Sequence, residues 1–294
     1  MRVLAAVILT AVTVTMVSRG AQAEAPPELR ICLDNNTPQA QRPAACSFVI
    51  ANAPPAEAKE LARVYFIRGN AYLTLGDYDR AMADFDTITK TNPTANGPFN
   101  SRGLAFLRQK QLDRAITEFD SAIRLSPKDP IAFTNRGDAY REKGRLDRAM
   151  QDYDAAIAIN PKWVNAYFGR GAALQQKATS DFDAFVNEGS FEELAIAEYG
   201  KVLQIAPRSA GALGNRAQLY HALRKYDLAI AGFTQAIEIA PANSAFMRSR
   251  ALTYRMIGRY DLAIADYRNA LAMTQDADGR KQIAESLAQL GVTV

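Results

Sequence analysis

Two stretches of the sequence are near copies of each other. Asn135–Pro161 reads "NRGDAYREKGRLDRAMQDYDAAIAINP", and thirty-four residues earlier Ser101–Pro127 reads "SRGLAFLRQKQLDRAITEFDSAIRLSP". Each stretch has two segments with apolar residues at helical spacing, separated by a short polar turn and ended by a proline. Repetition at a fixed interval predicts a chain of similar structural units rather than a domain with one central core.

Five columns of residues extend this interval along most of the chain. The first column holds small residues: Gly69, Gly103, Gly137, Gly171, Ala217 and Ala251. Three residues later stand Tyr72, Phe106, Tyr140, Leu174, Tyr220 and Tyr254. An alanine column follows at Ala81, Ala115, Ala149, Ala195, Ala229 and Ala263. Four residues later come Phe85, Phe119, Tyr153, Tyr199, Phe233 and Tyr267, and five units end on Pro93, Pro127, Pro161, Pro207 and Pro241.

The columns have a physical reason in helix packing. Tyr65, Gly69 and Tyr72 have the spacing i, i+4, i+7 of one helix face, and Ala81 and Phe85 begin the same pattern on a second helix. Small residues that face alanines allow two helix axes to approach closely, and the aromatic side chains fill the remaining gap. Proline ends the second helix because it lacks an N–H group and clashes with the preceding turn.

This arrangement resembles the tetratricopeptide repeat. The resemblance covers Ala62 to Gln275, and it implies an all-α solenoid in which antiparallel helix pairs wind into a right-handed superhelix. One helix pair cannot bury its apolar face alone, but six stacked pairs can. The six units are predicted at residues 62–95, 96–129, 130–163, 164–209, 210–243 and 244–277.

The first residues have the features of a secretory signal. Arg2 precedes Val3–Val17, a 15-residue run without charge, and Ala21 and Ala23 have the spacing that a signal peptidase reads. The run would span about 22 Å as a helix, less than the roughly 30 Å of a hydrocarbon core. Residues 1–23 are therefore predicted to be a cleaved signal that exports the chain to the periplasm. The alternative is an uncleaved anchor.

Both cysteines of the chain, Cys32 and Cys46, follow this leader. An isolated pair in an exported protein is usually a disulfide. Residues 24–61 are predicted to form an N-terminal cap held by that bond, and two buried thiols are the alternative. At the other end Ile283, Leu287 and Leu290 share one helix face, which predicts a capping helix in residues 278–294.

The net charge argues against some partners. The formal charge is +4, and without Arg2 and Arg19 of the leader the chain has 33 basic against 31 acidic side chains. A nucleic acid or an anionic membrane requires a concentrated basic surface. We expect no nucleic-acid partner, and contact with a membrane only through the transient signal.

An arginine precedes the small residue in every unit, at Arg68, Arg102, Arg136, Arg170, Arg216 and Arg250. One hypothesis is a ladder of cations for an acidic ligand. The other is internal pairing, because the second helix of five units offers an acid at the corresponding position: Asp84, Glu118, Asp152, Glu198 and Asp266. The fifth unit has Gly232 there, so Arg216 is predicted to be the unpaired member.

The fourth unit contains an insertion. Gly171 and Ala195 are 24 residues apart, whereas Gly137 and Ala149 are 12 apart. The extra residues form either a protruding hairpin that grips a partner or two longer helices that pack on each other. Its candidate binding residues have the helical spacing i, i+3, i+4: Phe182, Phe185 and Val186.

The resemblance also implies where a ligand binds, because the first helices of tetratricopeptide repeats line a concave groove. A mixed wall of amides, charges and aromatics could bond an extended peptide and anchor its side chains; a merely solvated face is the alternative. The predicted lining residues are Phe66, Asn70, Asn100, Asn135, Asp138, Arg141, Glu142, Phe168, Gln175, Asn215, Gln218, His221, Arg248 and Arg255.

The sequence offers no catalytic motif. It has one histidine and lacks a glycine-rich phosphate loop, an HExxH motif and a cysteine cluster. We therefore predict a non-catalytic interaction module without metal or cofactor that binds a protein or peptide. The alternatives are a small-molecule or glycan binder that serves the cell envelope, and a subunit of an outer-membrane or secretion complex.

Overall fold

The computed structural model describes residues 26–53, 61–180 and 191–293, in which the regular elements are fifteen α-helices. The all-α prediction is confirmed. The chain divides into two compact units, residues 1–143 and 144–294. The predicted leader, residues 1–23, lies outside the described residues.

Within residues 26–53 and 61–143, unit 1 contains seven helices. These are α1 (Pro27–Leu33), α2 (Arg42–Asn52), α3 (Ala62–Thr74), α4 (Tyr78–Thr91), α5 (Asn96–Arg108), α6 (Leu112–Leu125) and α7 (Pro130–Glu142). From α3 onwards, first helices of 13 residues alternate with second helices of 14. Each helix packs on its neighbours in sequence, so the core is a series of small apolar clusters.

Unit 2 contains eight helices in the described residues. These are α8 (Leu146–Ile159), α9 (Val164–Ser180), α10 (Phe191–Ile205), α11 (Ala210–Ala222), α12 (Tyr226–Ile239), α13 (Ser244–Met256), α14 (Tyr260–Met273) and α15 (Ala277–Ala288). The first helix α9 has 17 residues, four more than α11 and α13. The additional turn falls at the predicted insertion.

A left-handed residue forms the turn inside each repeat pair whose turn lies in the described residues. Gly76 and Gly258 have φ of +80° and +75°, and Lys110 and Arg224 take the same conformation at 60° and 56°. A left-handed residue satisfies the last carbonyl groups of the first helix and reverses the chain. Glycine adopts a positive φ without strain, whereas the Cβ atoms of Lys110 and Arg224 make this conformation unfavourable.

The small-residue column makes room for the aromatic column of the same pair. A Cβ on Gly69 would lie 2.6 Å from Cε1 of Phe85, and a Cβ on Gly171 would lie 3.1 Å from Cε1 of Tyr199. The rings of Phe85 and Tyr199 are fully buried. In these two pairs the aromatic ring of the second helix therefore lies directly over a residue that lacks a side chain.

Both ends of the described chain are closed by additional helices. The disulfide between Cys32 and Cys46 joins α1 to α2, with Cα atoms 4.9 Å apart, and lies in an apolar cluster with Val49 and Val64. At the other end α15 buries Ile283 and Leu287 against α13 and α14.

None of the helices in residues 26–53, 61–180 and 191–293 combines the length and the apolarity needed to cross a membrane.

Candidate functional site

We call the exposed sides of the first helices α3, α5 and α7 the first-helix face of unit 1. Phe66 lies here, with its ring centroid 6.1 Å from that of Phe85. A Cβ on Gly97 of α5 would lie 3.2 Å from Cε2 of Phe66, so the ring fits against a backbone without a side chain. Phe66 is therefore half-buried between its own pair and the next, and its remaining surface is a fixed apolar contact point.

Amide side chains connect the first helices of unit 1 to each other. The hydroxyl of Ser101 donates to Oδ1 of Asn70 over 3.1 Å, which links α5 to α3. Nδ2 of Asn135 donates to Oδ1 of Asn100 over 2.9 Å, which links α7 to α5. Asn70 uses its own Nδ2 on the carbonyl of Phe66, at 2.8 Å. The predicted amides are thus brought into a row across three helices.

Asn100 and Asn135 are not saturated by this bond. An amide carries one acceptor oxygen and one donor NH₂ group. The bond uses the oxygen of Asn100 and the nitrogen of Asn135, so Nδ2 of Asn100 and Oδ1 of Asn135 have no partner among the described residues. One free donor and one free acceptor therefore lie next to each other on the first-helix face.

Charged side chains follow at the end of α7. Arg141 and Asp138 are 3.8 Å apart, and Glu142 accepts from Nζ of Lys110 over 2.8 Å. Nε of Arg141 is buried and has no hydrogen-bond partner. The predicted acidic and basic residues are brought together here, but part of their charge is already used internally.

In unit 2 a buried tyrosine connects three predicted residues. Phe168 packs edge-on against Tyr199, with centroids 5.4 Å apart. The Tyr199 hydroxyl donates to Oε1 of Gln175 over 3.3 Å and accepts from Nδ2 of Asn215 over 3.2 Å. Phe168, Gln175 and Asn215 are therefore fixed in position by one fully buried side chain, Tyr199.

His221 is tied to the next first helix. Its Nδ1 lies 2.9 Å from the hydroxyl of Thr253, which donates to the carbonyl of Ser249 over 2.8 Å. A hydroxyl donates only once, so the hydrogen-bond network assigns Nδ1 of His221 as the donor to Thr253. Partial burial lowers the pKa of His221 below 6.5. Gln218, one turn earlier, is exposed.

Arg248 and Arg255 border a cleft of about 220 Å³ between α13 and α15. Nη1 of Arg255 donates to Oε1 of Gln289 over 2.7 Å, while Arg248 has no partner among the described side chains. The other lining residues are Ser249, Leu252, Tyr267, Gln282, Ile283 and Ser286. A cleft that combines two guanidinium groups with apolar and hydroxyl side chains suits an anionic or polar group that carries a short apolar part.

The predicted insertion residues Phe182, Phe185 and Val186 lie outside the described residues.

Internal pairing explains the arginine column apart from Arg216, which has no bond to an acid among the described residues. The guanidinium groups of Arg68 and Arg250 each donate twice to the acid of their own pair, over 2.6–2.9 Å to Asp84 and over 2.7–2.8 Å to Asp266. The hydrogen bond to Asp266 raises the pKa of Arg250 and outweighs the opposing effect of burial. Arg102 and Arg170 bind the acids predicted for them, with shortest distances of 2.7 Å to Glu118 and 2.9 Å to Glu198.

The sequence reasoning missed a second contact of the same arginines. Each also reaches back to the second helix of the preceding pair. The bonds run from Arg102 to Asp86 at 2.7 Å, from Arg136 to Asp120 at 2.6 Å and from Arg170 to Asp154 at 2.5 Å. The signal was present as an acid sixteen residues before each arginine, in the triplets "DFD", "EFD" and "DYD". Each of these arginines therefore connects its own helix pair to the preceding pair by a hydrogen bond.

Within the described ranges there is no group of three or more His, Cys, Asp or Glu side chains that could hold a metal ion.

Family models match most of the repeat region. Models described as "TPR repeat" match residues 103–140 and 137–177, and models described as "Tetratricopeptide repeat" match residues 62–94 and 215–279. No curated protein matches the sequence significantly.

Solved structures with the same fold are numerous. A thermophilic TPR protein of Thermus thermophilus is 24% identical, with a TM-score of 0.56 over 66% of this chain and 100% of its own. PilF of Pseudomonas aeruginosa is 14% identical, with a TM-score of 0.63 over 79% of this chain and 98% of its own. A tetratricopeptide repeat protein of Parabacteroides merdae is 14% identical, with a TM-score of 0.62 over 84% of this chain and 91% of its own.

The fold is thus an all-α tetratricopeptide solenoid, and the chain belongs to the tetratricopeptide repeat family. Members of this family generally mediate interactions between proteins and are typically non-catalytic.

Proposed function

We propose that this protein is an exported, non-catalytic module that binds an extended segment of a partner protein on its first-helix face. The observation that carries the proposal is the free amide pair of Asn100 and Asn135. A peptide backbone alternates C=O acceptors and N–H donors, so one free donor beside one free acceptor matches one peptide group irrespective of its side chain.

Neighbouring residues support this mode of binding. Phe66 presents a half-buried ring on the same face, suited to an apolar side chain of the ligand. Arg141, Asp138 and Glu142 at the end of α7 provide both charge signs, which would set the direction of a charged peptide. In unit 2 the cleft beside Arg248 and Arg255 offers a further recess.

The test is a peptide selection on the purified mature chain, followed by calorimetry with the enriched sequences. The double variant Asn100→Ala with Asn135→Ala should weaken binding about tenfold, the loss expected for two hydrogen bonds. Asn269→Ala is the matched control, because Asn269 is an exposed asparagine on the second helix α14. Equal affinities of the double variant and the control would contradict the proposed site.

The same measurement separates the alternative function. Soluble cell-wall fragments are titrated beside the peptides. Binding of the fragments without binding of any selected peptide would favour the small-molecule or glycan binder.

Export is the second part of the proposal. It is supported by Arg2, the uncharged run Val3–Val17 and the disulfide of Cys32 and Cys46, a bond that persists in oxidising compartments. Expression of the full chain in a Gram-negative host and fractionation should yield a periplasmic protein shortened after Ala23. A full-length product in the cytoplasm would contradict this part, and a full-length product in the membrane would indicate an anchor.

A further inference from the structure

The fifth repeat breaks the arginine pattern on both sides. In the other repeats the arginine binds an acid on the second helix of its own pair, an acid or hydroxyl on the second helix of the preceding pair, or both. Arg250, for example, donates to Asp266 of its own pair and to Thr234 of the preceding pair. For Arg216 the two corresponding positions are Gly232 and Gly200. Its recorded contact among the described residues is the ring of Tyr220, 6.0 Å from the guanidinium carbon, and it has no carboxylate partner there.

Packing explains only one of the two glycines. A Cβ on Gly232 would lie 2.9 Å from Cβ of Ala217, so the close approach of α11 and α12 excludes a side chain at that position. A Cβ on Gly200 would have no atom within 4 Å. Nothing in the described structure therefore prevents a carboxylate at position 200, where the preceding pairs carry Asp86, Asp120 and Asp154.

The register of the preceding pairs thus places an unpaired, half-buried cation at the open space beside Gly200. A guanidinium group that is partly removed from water loses hydration, and the other arginines of the column recover that loss through carboxylates. Arg216 holds the same repeat position on α11 without this compensation. A ligand carboxylate that enters at Gly200 would complete the arrangement that the other pairs contain.

We propose that Arg216 and the space beside Gly200 form a binding site for a carboxylate supplied by an acidic side chain of a partner protein. The proposal rests on the proposed function for the nature of the partner. The chemistry is that of the neighbouring pairs, in which an aspartate side chain from another helix binds the guanidinium over 2.5–2.7 Å. The site belongs to unit 2, with Arg216 on α11 and Gly200 on α10.

The first experiment restores the missing acid. Gly200→Asp should melt about 2 °C above Gly200→Asn, the difference expected for one partly buried ion pair in a chain of this length. The asparagine variant controls for helix propensity and volume. In an Arg216→Gln background the advantage of aspartate should disappear. No advantage of aspartate, or the same advantage without Arg216, would overturn the proposal.

The second experiment titrates small probes and follows the Nε–Hε resonance of Arg216 by ¹H–¹⁵N NMR. N-acetyl-aspartate N′-methylamide should shift this resonance with saturation, the blocked asparagine should not, and Gly200→Asp should abolish the response. No response to the blocked aspartate would overturn the site. A stronger response to inorganic phosphate would overturn its assignment to a protein side chain and indicate a free anion.

These readouts are independent of the peptide test at Asn100 and Asn135. Selected-peptide affinity that is unchanged by Asn100→Ala with Asn135→Ala, together with an intact response at Arg216, would refute the first-helix face as the docking site and leave the carboxylate site standing. The reverse combination would refute the carboxylate site alone.

Discussion

Cε1 of Phe119 lies 2.4 Å from the point where a Cβ on Gly103 would be placed. The ring is completely buried, and the glycine is the residue of α5 over which it packs. The close approach of first and second helix therefore depends on the absence of one methyl group. This relationship accounts for two columns of the repeat at once.

Gly103→Ala should lower the free energy of unfolding by about 1–3 kcal/mol, because the added methyl group forces the ring of Phe119 or a helix to move. Gly200→Ala is the control, since a Cβ at that helical position meets no atom within 4 Å. It should raise the stability by about 0.5–1 kcal/mol, the ordinary gain of alanine over glycine in a helix. Urea unfolding measures both, and a neutral Gly103→Ala would refute the close-packing explanation.

Arg250→Gln should cost about 3 kcal/mol, because it leaves the carboxylate of Asp266 buried without its counter-ion. Lys110→Gln removes an ion pair with Glu142 in which the lysine is 74% exposed, and should cost less than about 1 kcal/mol. The difference between the two losses of unfolding free energy separates the contribution of a buried ion pair from that of an exposed one.

A further variant isolates the cause of that loss. The double change Arg250→Met with Asp266→Leu removes both charges, so most of the stability should return. A double variant as unstable as Arg250→Gln would show that the lost contacts, rather than an unpaired charge, account for the effect.

The helices and their packing could be predicted from the sequence because the residues of one column have the same packing environment in successive repeats. A glycine below an aromatic ring recurs at Gly69, Gly103 and Gly171, and each recurrence strengthens the same inference. The left-handed turns at Lys110 and Arg224 could not be predicted, because non-glycine residues carry no such signal. At these two positions the packing of the helix pair, rather than the residue type, determines the left-handed backbone conformation.

The candidate site was predicted less completely. Sequence register places Asn100 and Asn135 on first helices, but their mutual hydrogen bond depends on the rotation and spacing of α5 and α7. The second acids of Arg102 and Arg170 stand in the sequence sixteen residues earlier, but they were missed because they belong to the preceding pair. Contacts between pairs require the stacking geometry, which a repeat pattern does not contain.

Removal of the disulfide should loosen the start of unit 1. Cys32 and Cys46 are fully buried and close a loop of 14 residues, for which the chain-entropy model gives about 3 kcal/mol. Cys32→Ala with Cys46→Ala should therefore increase amide hydrogen exchange in α1 and α2, with little change in α13 and α14. Unchanged exchange in α1 and α2 would show that the apolar cluster around Val49 and Val64 holds this segment without the bond.

His221 should make the stability depend on pH. Burial lowers its pKa below the 6.5 of an exposed histidine, so between the folded and unfolded pKa values the unfolded chain binds more protons. The free energy of unfolding should consequently fall as the pH decreases from 7 through 6.5 towards 5.5. The chain has no other histidine, so ordinary side chains contribute little in this range.

The control is His221→Gln, which cannot titrate and can still donate to the hydroxyl of Thr253. Urea unfolding of both proteins at several pH values should show a steeper decrease for the wild type than for the variant. Parallel curves would mean that His221 has the same pKa in both states. A wild-type stability that increases on acidification would mean that the folded protein favours the charged ring, contrary to the lowering of the pKa of His221 by burial.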